Sequence, residues 1–156
     1  MSLTQKNYET LKNIQGNEIG VSEWILIDQT MINDFAKLTQ DNQFIHINPQ
    51  RAQKETGFGG TIAHGFLVLA LSSKFAMDVF DRQANKSVSI NYGFDKVRFI
   101  SPVPTNSWVR GRFILKRVDV NRPTELRQIY DLSIEIKESG SLAVIAEWIT
   151  LTIYDS

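Results

Sequence analysis

The run from Ala63 to Phe80 constrains this chain more than any other stretch. Phe66, Leu67, Leu69, Ala70, Leu71, Phe75, Ala76, Val79 and Phe80 leave only a narrow polar side, at Ser72, Ser73 and Asp78. At helical spacing such a segment is apolar over most of its circumference and must be covered on most sides. The cover has to come from the second half of the chain. After Arg82 the apolar period changes from helical to two, the signature of strands.

Val88, Ile90, Tyr92 and Phe94 alternate, and Val97 and Phe99 continue on the opposite parity, so a bulge or sharp bend is expected near Gly93 and Asp95. Ser101 to Pro104 reads as a turn, and Val109, Phe113 and Leu115 mark the next strand. Asn121 to Thr124 turns the chain again. Leu126, Gln128, Tyr130, Leu132, Ile134 and Ile136 then alternate with polar residues, giving a strand with one wet face. Ser139-Gly140 forms a hairpin turn. Leu142 to Tyr154 is apolar on both faces apart from Glu147 and the threonines, which places it centrally or beside a subunit contact.

Upstream, residues 4–14 form a short helix with Tyr8, Leu11 and Ile14 on one side, ended by Gly16-Asn17, and Ser22 to Ile27 a short strand. Asp28 is placed to cap a helix running through Leu38, with Met31, Ile32, Phe35 and Leu38 at helical spacing. Thr39 to Asn42 is a loop. Pro49 suits the first turn of a further short helix, where its missing N–H costs nothing. Helices first and then long strands joined by short turns predict an α+β fold whose curved antiparallel sheet wraps one long apolar helix, as a single domain over residues 1–156. Free strand edges would invite a second copy, so a homodimer is expected.

Composition removes several function classes. Lys+Arg and Asp+Glu both number 17, so no net field favours nucleic acid or an acidic membrane. Cysteine is absent, which rules out disulfides, thiolate nucleophiles and thiolate metal sites. The N-terminus lacks the apolar core of a signal peptide, and the longest purely apolar run, Phe66 to Leu71, is too short to cross a bilayer. A soluble, cytoplasmic protein is the expectation.

Both histidines lie in the segment Asp41 to Gly65. An acid and an imidazole five residues apart in a loop, Asp41 and His46, can converge on one small molecule, polarise a water and return a proton to carbon. The same spacing also fits a surface or capping histidine. Gly65 opens the first turn of the apolar helix. Its N–H has no helical partner, and no side chain blocks a ligand oxygen, so it could donate to a thioester oxygen. A tight loop-to-helix entry explains that glycine equally well. His64 reads as a structural hydrogen-bonding residue. Gly57-Phe58-Gly59-Gly60 lacks the Lys-Ser/Thr ending of a phosphate loop. Arg98 is the first choice among basic residues for a ligand phosphate, and Glu147 needs a partner or an edge position.

Taken in order, Asp41, His46, Asn48-Pro49 and His64-Gly65 resemble the hydratase motif of the MaoC-like dehydratase family, the (R)-specific enoyl-CoA hydratases with the hotdog fold. The long strands and the stretch from Val97 to Val103 extend the resemblance over residues 20–154. Most members carry Asn-Pro after the aspartate, where this chain has Gln43-Phe44. That variant, with Phe58-Gly59-Gly60-Thr61-Ile62-Ala63-His64-Gly65, looks like the nodulation protein N subgroup. Ala70 stands where a small hydroxyl residue is often found.

The resemblance implies hydration of a trans-2-enoyl thioester to an (R)-3-hydroxyacyl thioester, or the reverse. Asp41 and His46 would be catalytic, with Gly65 and Gln43 binding substrate. The partner would be an acyl-CoA or acyl-carrier-protein thioester, with no metal and no cofactor beyond the coenzyme A carried by the substrate. Other hotdog proteins leave two alternatives, an acyl-CoA thioesterase and a non-catalytic acyl-thioester-binding subunit.

Overall fold

The computed structural model describes residues 1–80 and 87–155. Arg82, where the sequence pattern changes, and Ser156 lie outside them. Helix α1 (Leu3–Asn13) precedes two short strands, β1 (Glu18–Val21) and β2 (Ile25–Ile27). Four helices follow: α2 (Gln29–Thr39), α3 (Phe44–Ile47), α4 (Pro49–Glu55) and α5 (Gly65–Ala70). Then come α6 (Ser72–Val79) and the long strands β3 (Ser87–Phe99), β4 (Ser107–Arg122), β5 (Glu125–Ile136) and β6 (Leu142–Tyr154).

One antiparallel sheet runs β1-β4-β5-β6-β3, and β2 pairs with β4 alongside β1. The alternation read in β5 sets its register: Leu126, Tyr130, Leu132, Ile134 and Ile136 are buried, while Arg127, Asp131, Ser133 and Glu135 are only half-buried. Strand β6, apolar on both faces, is interior to the sheet, between β5 and β3. Glu147 on β6 pairs with Lys96 on the adjacent β3 at 2.5 Å and, across β5, with Lys116 on β4 at 2.7 Å. The expected slip in β3 is present twice, between Asn91 and Gly93 and between Asp95 and Arg98, with Lys96 in the left-handed region at φ 55°.

Three expectations need correction. The strand expected over Ser22–Ile27 begins only at Ile25, and β1 stands before it. Between the two strands the Ser22 hydroxyl accepts from the Gly111 amide at 2.9 Å, a side chain standing in for the ladder. The apolar helix is not one rod, since Leu71 separates α5 from α6. Ser72 faces inward rather than lining a wet stripe: it is buried, and its hydroxyl donates to the Leu69 carbonyl at 2.6 Å, a back-bond that bends helices. Lastly, the segment after Asp41 is not all loop, because α3 makes one turn around His46.

The core lies between α5/α6 and the sheet. Phe75, Ile27, Ile32, Val109, Phe113 and Leu115 are fully buried in one cluster with Leu132, Ile134 and Trp148. Gly111 on β4 allows the close approach of α6: a Cβ there would lie 2.8 Å from the Phe75 Cβ. Capping sets the helix starts that matter downstream. Asp28 accepts from the Met31 amide at 2.8 Å, and Asn48 accepts from the Arg51 amide at 3.0 Å ahead of Pro49. Among the described residues no helix is long and apolar enough to cross a membrane.

Candidate active site

Helix α2 ends on Gln40 in the left-handed conformation, φ 62°, which turns the chain sharply and delivers Asp41. The carboxylate side of Asp41 is exposed, while its carbonyl accepts from Nε2 of His64 at 3.0 Å. His46, on α3, is buried, and its Nδ1 lies 2.7 Å from the Ile62 carbonyl. A carbonyl only accepts, so each imidazole has a defined tautomer when neutral: hydrogen on Nδ1 in His46 and on Nε2 in His64. Nε2 of His46 is therefore left as that ring's basic nitrogen.

The two rings stack with centroids 3.8 Å apart and planes inclined by 23°, and Phe35 packs on His64 at 5.0 Å. One nitrogen of each imidazole and a carboxylate oxygen of Asp41 lie within 4.8 Å of one another. Burial, opposed by the bond to Ile62, holds the His46 pKa below its ordinary 6.5; the neighbouring His64 lowers it further and Asp41 raises it.

This trio is also the one grouping among the described residues with the makings of a metal site. Its geometry argues against that use. An imidazole binds a metal in its own ring plane, and two rings stacked 3.8 Å apart with planes inclined by only 23° do not share one such point close to both.

Asp41, His46, His64 and Gly65 line one cavity of about 420 Å³, with Phe66, Val68, Phe99, Ile100, Pro102 and Val103 among its other walls. Gly65 is the first residue of α5, and its N–H has no hydrogen-bond partner among the described residues. A Cβ at Gly65 would lie 2.9 Å from the Phe99 ring, so the glycine also lets Phe99 close over the helix start. Gln43 is exposed at the head of α3 and is not among the lining residues; its carbonyl accepts from the His46 amide at 3.0 Å. Arg98 is exposed on β3 beside the wall and donates to the Val97 carbonyl.

The sequence reading missed a second set of polar groups behind His46. Gln29, at the start of α2, donates from Nε2 to the His46 carbonyl at 2.7 Å and accepts at Oε1 from the Thr61 hydroxyl at 2.5 Å. The Thr105 hydroxyl is 2.7 Å from that of Thr61. No spacing signal marks these residues, because Gln29 also reads as an ordinary first-turn helix residue.

Comparison with known proteins agrees with the motif and the fold. The family model described as MaoC like domain matches residues 10–135. The chain belongs to the MaoC-like dehydratase family. This MaoC-like chain is 46% identical to nodulation protein N of Rhizobium meliloti over 145 residues, 93% of this chain and 90% of that protein. It is 38% identical to 3-hydroxyacyl-thioester dehydratase Z of Mycobacterium tuberculosis over 132 residues, 85% of this chain and 86% of that one. An unliganded R-hydratase from Pseudomonas aeruginosa shares the hotdog fold with a TM-score of 0.69 at 20% identity, covering 91% of this chain and 87% of its own.

Proposed function

We propose that this MaoC-like protein is an (R)-specific enoyl-thioester hydratase, adding water to a trans-2-enoyl thioester or catalysing the reverse dehydration. One observation carries the reading: an aspartate, an imidazole with a defined free nitrogen and a helix-start N–H with no partner among the described residues meet on the wall of one cavity. Asp41 and His46 share a water. Its oxygen adds at C3 as its proton passes to one of the pair, the C2–C3 π electrons move toward the thioester, and one of the pair protonates C2. The thioester oxygen, enolate-like in the transition state, accepts from the Gly65 N–H. The sum is one water across one double bond. The chemistry asks for no electron transfer, and the apolar walls at Phe66, Val68 and Phe99 suit an acyl chain. The substrate is a thioester of coenzyme A or of acyl carrier protein, met in the cytoplasm.

The deciding experiment is crotonyl-CoA hydration by the purified protein, with chiral analysis of the product. Loss of the enoyl-thioester absorbance with (R)-3-hydroxybutyryl-CoA as product supports the proposal. Release of free thiol from a saturated acyl-CoA points to a thioesterase, and binding without turnover to a non-catalytic subunit; either result sinks it.

The pH profile follows from His46. A pKa held below 6.5 keeps the ring neutral at pH 7, so kcat/KM is expected to rise through an acid-side pKa below 6.5 and to level off by neutrality. The stability effect has the same sign. A depressed folded-state pKa contributes stability above the unfolded value, and that contribution is lost as pH falls through the folded one. An acid limb centred above 6.5 contradicts the assignment.

The working unit is proposed to be a homodimer. Strand β3 pairs only with β6 among the described residues, leaving one edge free. It carries exposed Val88 (63%), Ile90 and Tyr92 (62%), more apolar surface than a solvated edge normally tolerates. Light scattering is expected to give twice the 17.8 kDa chain mass, and Ile90→Lys to shift the protein toward monomer. A monomeric wild type refutes the dimer.

A further inference from the structure

The groups that hold His46 form a closed circuit. The Ile62 amide donates to the Ile45 carbonyl at 3.0 Å, and His46 Nδ1 donates back to the Ile62 carbonyl at 2.7 Å. One residue earlier, the Thr61 hydroxyl donates to Gln29 Oε1. Gln29 Nε2 then donates to the His46 carbonyl, which closes the ring. The amide orientation of Gln29 is not ambiguous, since the His46 carbonyl can only accept. Gln29 thereby fixes both the peptide that carries the imidazole and the peptide whose oxygen sets its tautomer. Three elements meet at this one side chain: the start of α2, the turn α3 and the segment entering α5.

Thr105, in the turn before β4, backs the circuit. Its amide and hydroxyl both donate to the Thr61 carbonyl, each at 3.0 Å. Gln29 does not line the cavity that holds Asp41 and His46; with Thr61 and Thr105 it lines a second cavity of about 340 Å³, beside Pro49 and Phe58, so its reach to the reacting atoms runs through His46.

We infer that Gln29, through Thr61, is a positioning residue that locks His46 in the Nδ1–H tautomer and aims its Nε2 at the reacting water. The inference rests on the hydratase reading for its kinetic consequence but not for its structural one. A ring free to rotate or to change tautomer presents a hydrogen where a lone pair is needed. Misorientation of a general base costs turnover more than it costs binding.

The test uses Gln29→Leu, which keeps much of the side-chain volume and removes the hydrogen bonds to the His46 carbonyl and the Thr61 hydroxyl together with an exposed one to Asn33, and Thr61→Val, which removes only the hydroxyl. Each is expected to lower kcat on crotonyl-CoA about 10-fold or more, with KM within about twofold. The double variant should lose no more than the worse single one, because the two groups act as one unit. Imidazole ¹⁵N NMR should show a single Nδ1–H tautomer for His46 in the wild type and a mixture in Gln29→Leu. If Gln29→Leu does not fold, Thr61→Val carries the same readouts.

A folded Gln29→Leu or Thr61→Val with wild-type kcat and an unchanged tautomer overturns the inference, as does a fall confined to KM. If the wild type hydrates no enoyl thioester, the proposed function fails. The NMR comparison then decides the positioning role alone: a tautomer unchanged in the variants refutes it, and a mixed one upholds it.

Discussion

Asp41→Asn and His46→Ala are each expected to cut enoyl-thioester hydration by about 10²-fold or more. The two substitutions probe different parts of the proton path. Asp41→Asn keeps the shape of the side chain but removes its capacity to take a proton. The structural contact made at this position, the backbone carbonyl bonded to His64, is retained, and the side chain is exposed, so folding should be intact.

His46→Ala removes the basic nitrogen but also leaves the Ile62 carbonyl without its partner and strips the stacking surface from His64. That variant is therefore expected to lose about 1–3 kcal/mol of stability as well. Asp41→Asn is the cleaner measurement for that reason. Steady-state kinetics on crotonyl-CoA, beside circular dichroism to verify the fold, gives the answer. Turnover like the wild type's in either folded variant removes that residue from its assigned role.

Phe75→Ala is expected to destabilise the protein by about 3–5 kcal/mol, among the largest single losses a core substitution produces. Phe75 is fully buried on α6. The position opposite its ring is Gly111, which has no side chain to move into the space vacated. The neighbouring strands are fixed by the β4–β5 ladder, so the void cannot easily collapse. Equilibrium urea unfolding should show a lower midpoint with little change in slope. A loss under about 1 kcal/mol would mean that the sheet relaxes onto the helix, and that Gly111 is not selected for a close approach. The converse substitution, Gly111→Ala, overpacks the same contact, which ties the two residues together as one packing unit.

Much of the fold was legible from short-range pattern. A period of two in β5 pointed to the antiparallel sheet, and apolar residues on both faces of β6 left it central or beside a subunit contact, of which the sheet order shows the first, because strand burial is a property of alternating positions along one segment. Asp28 and Pro49 announced their helices, because a cap needs only an amide three residues away and a first-turn proline needs no amide partner at all. At the site, the order Asp41, His46, His64-Gly65 was readable as a motif, and these residues line one cavity.

What could not be read depends on groups that meet across the chain. The break at Leu71 follows from Ser72 turning inward to Leu69, a choice between two faces that a narrow polar stripe does not dictate. Gln43, three residues before His46, is exposed at the N-cap of α3 and is not on the cavity wall, which its place in the chain does not show. The tautomer of His46 is set by a carbonyl sixteen residues away, and its backbone is held by an amide seventeen residues away. The sequence by itself determined most of the segments that are helix or strand and the acid, imidazole and glycine that line the cavity, since both follow from residue type and local period. The tertiary structure alone decided which nitrogen is basic and what holds it in place, since a hydrogen bond depends on distance in space and not on separation along the chain.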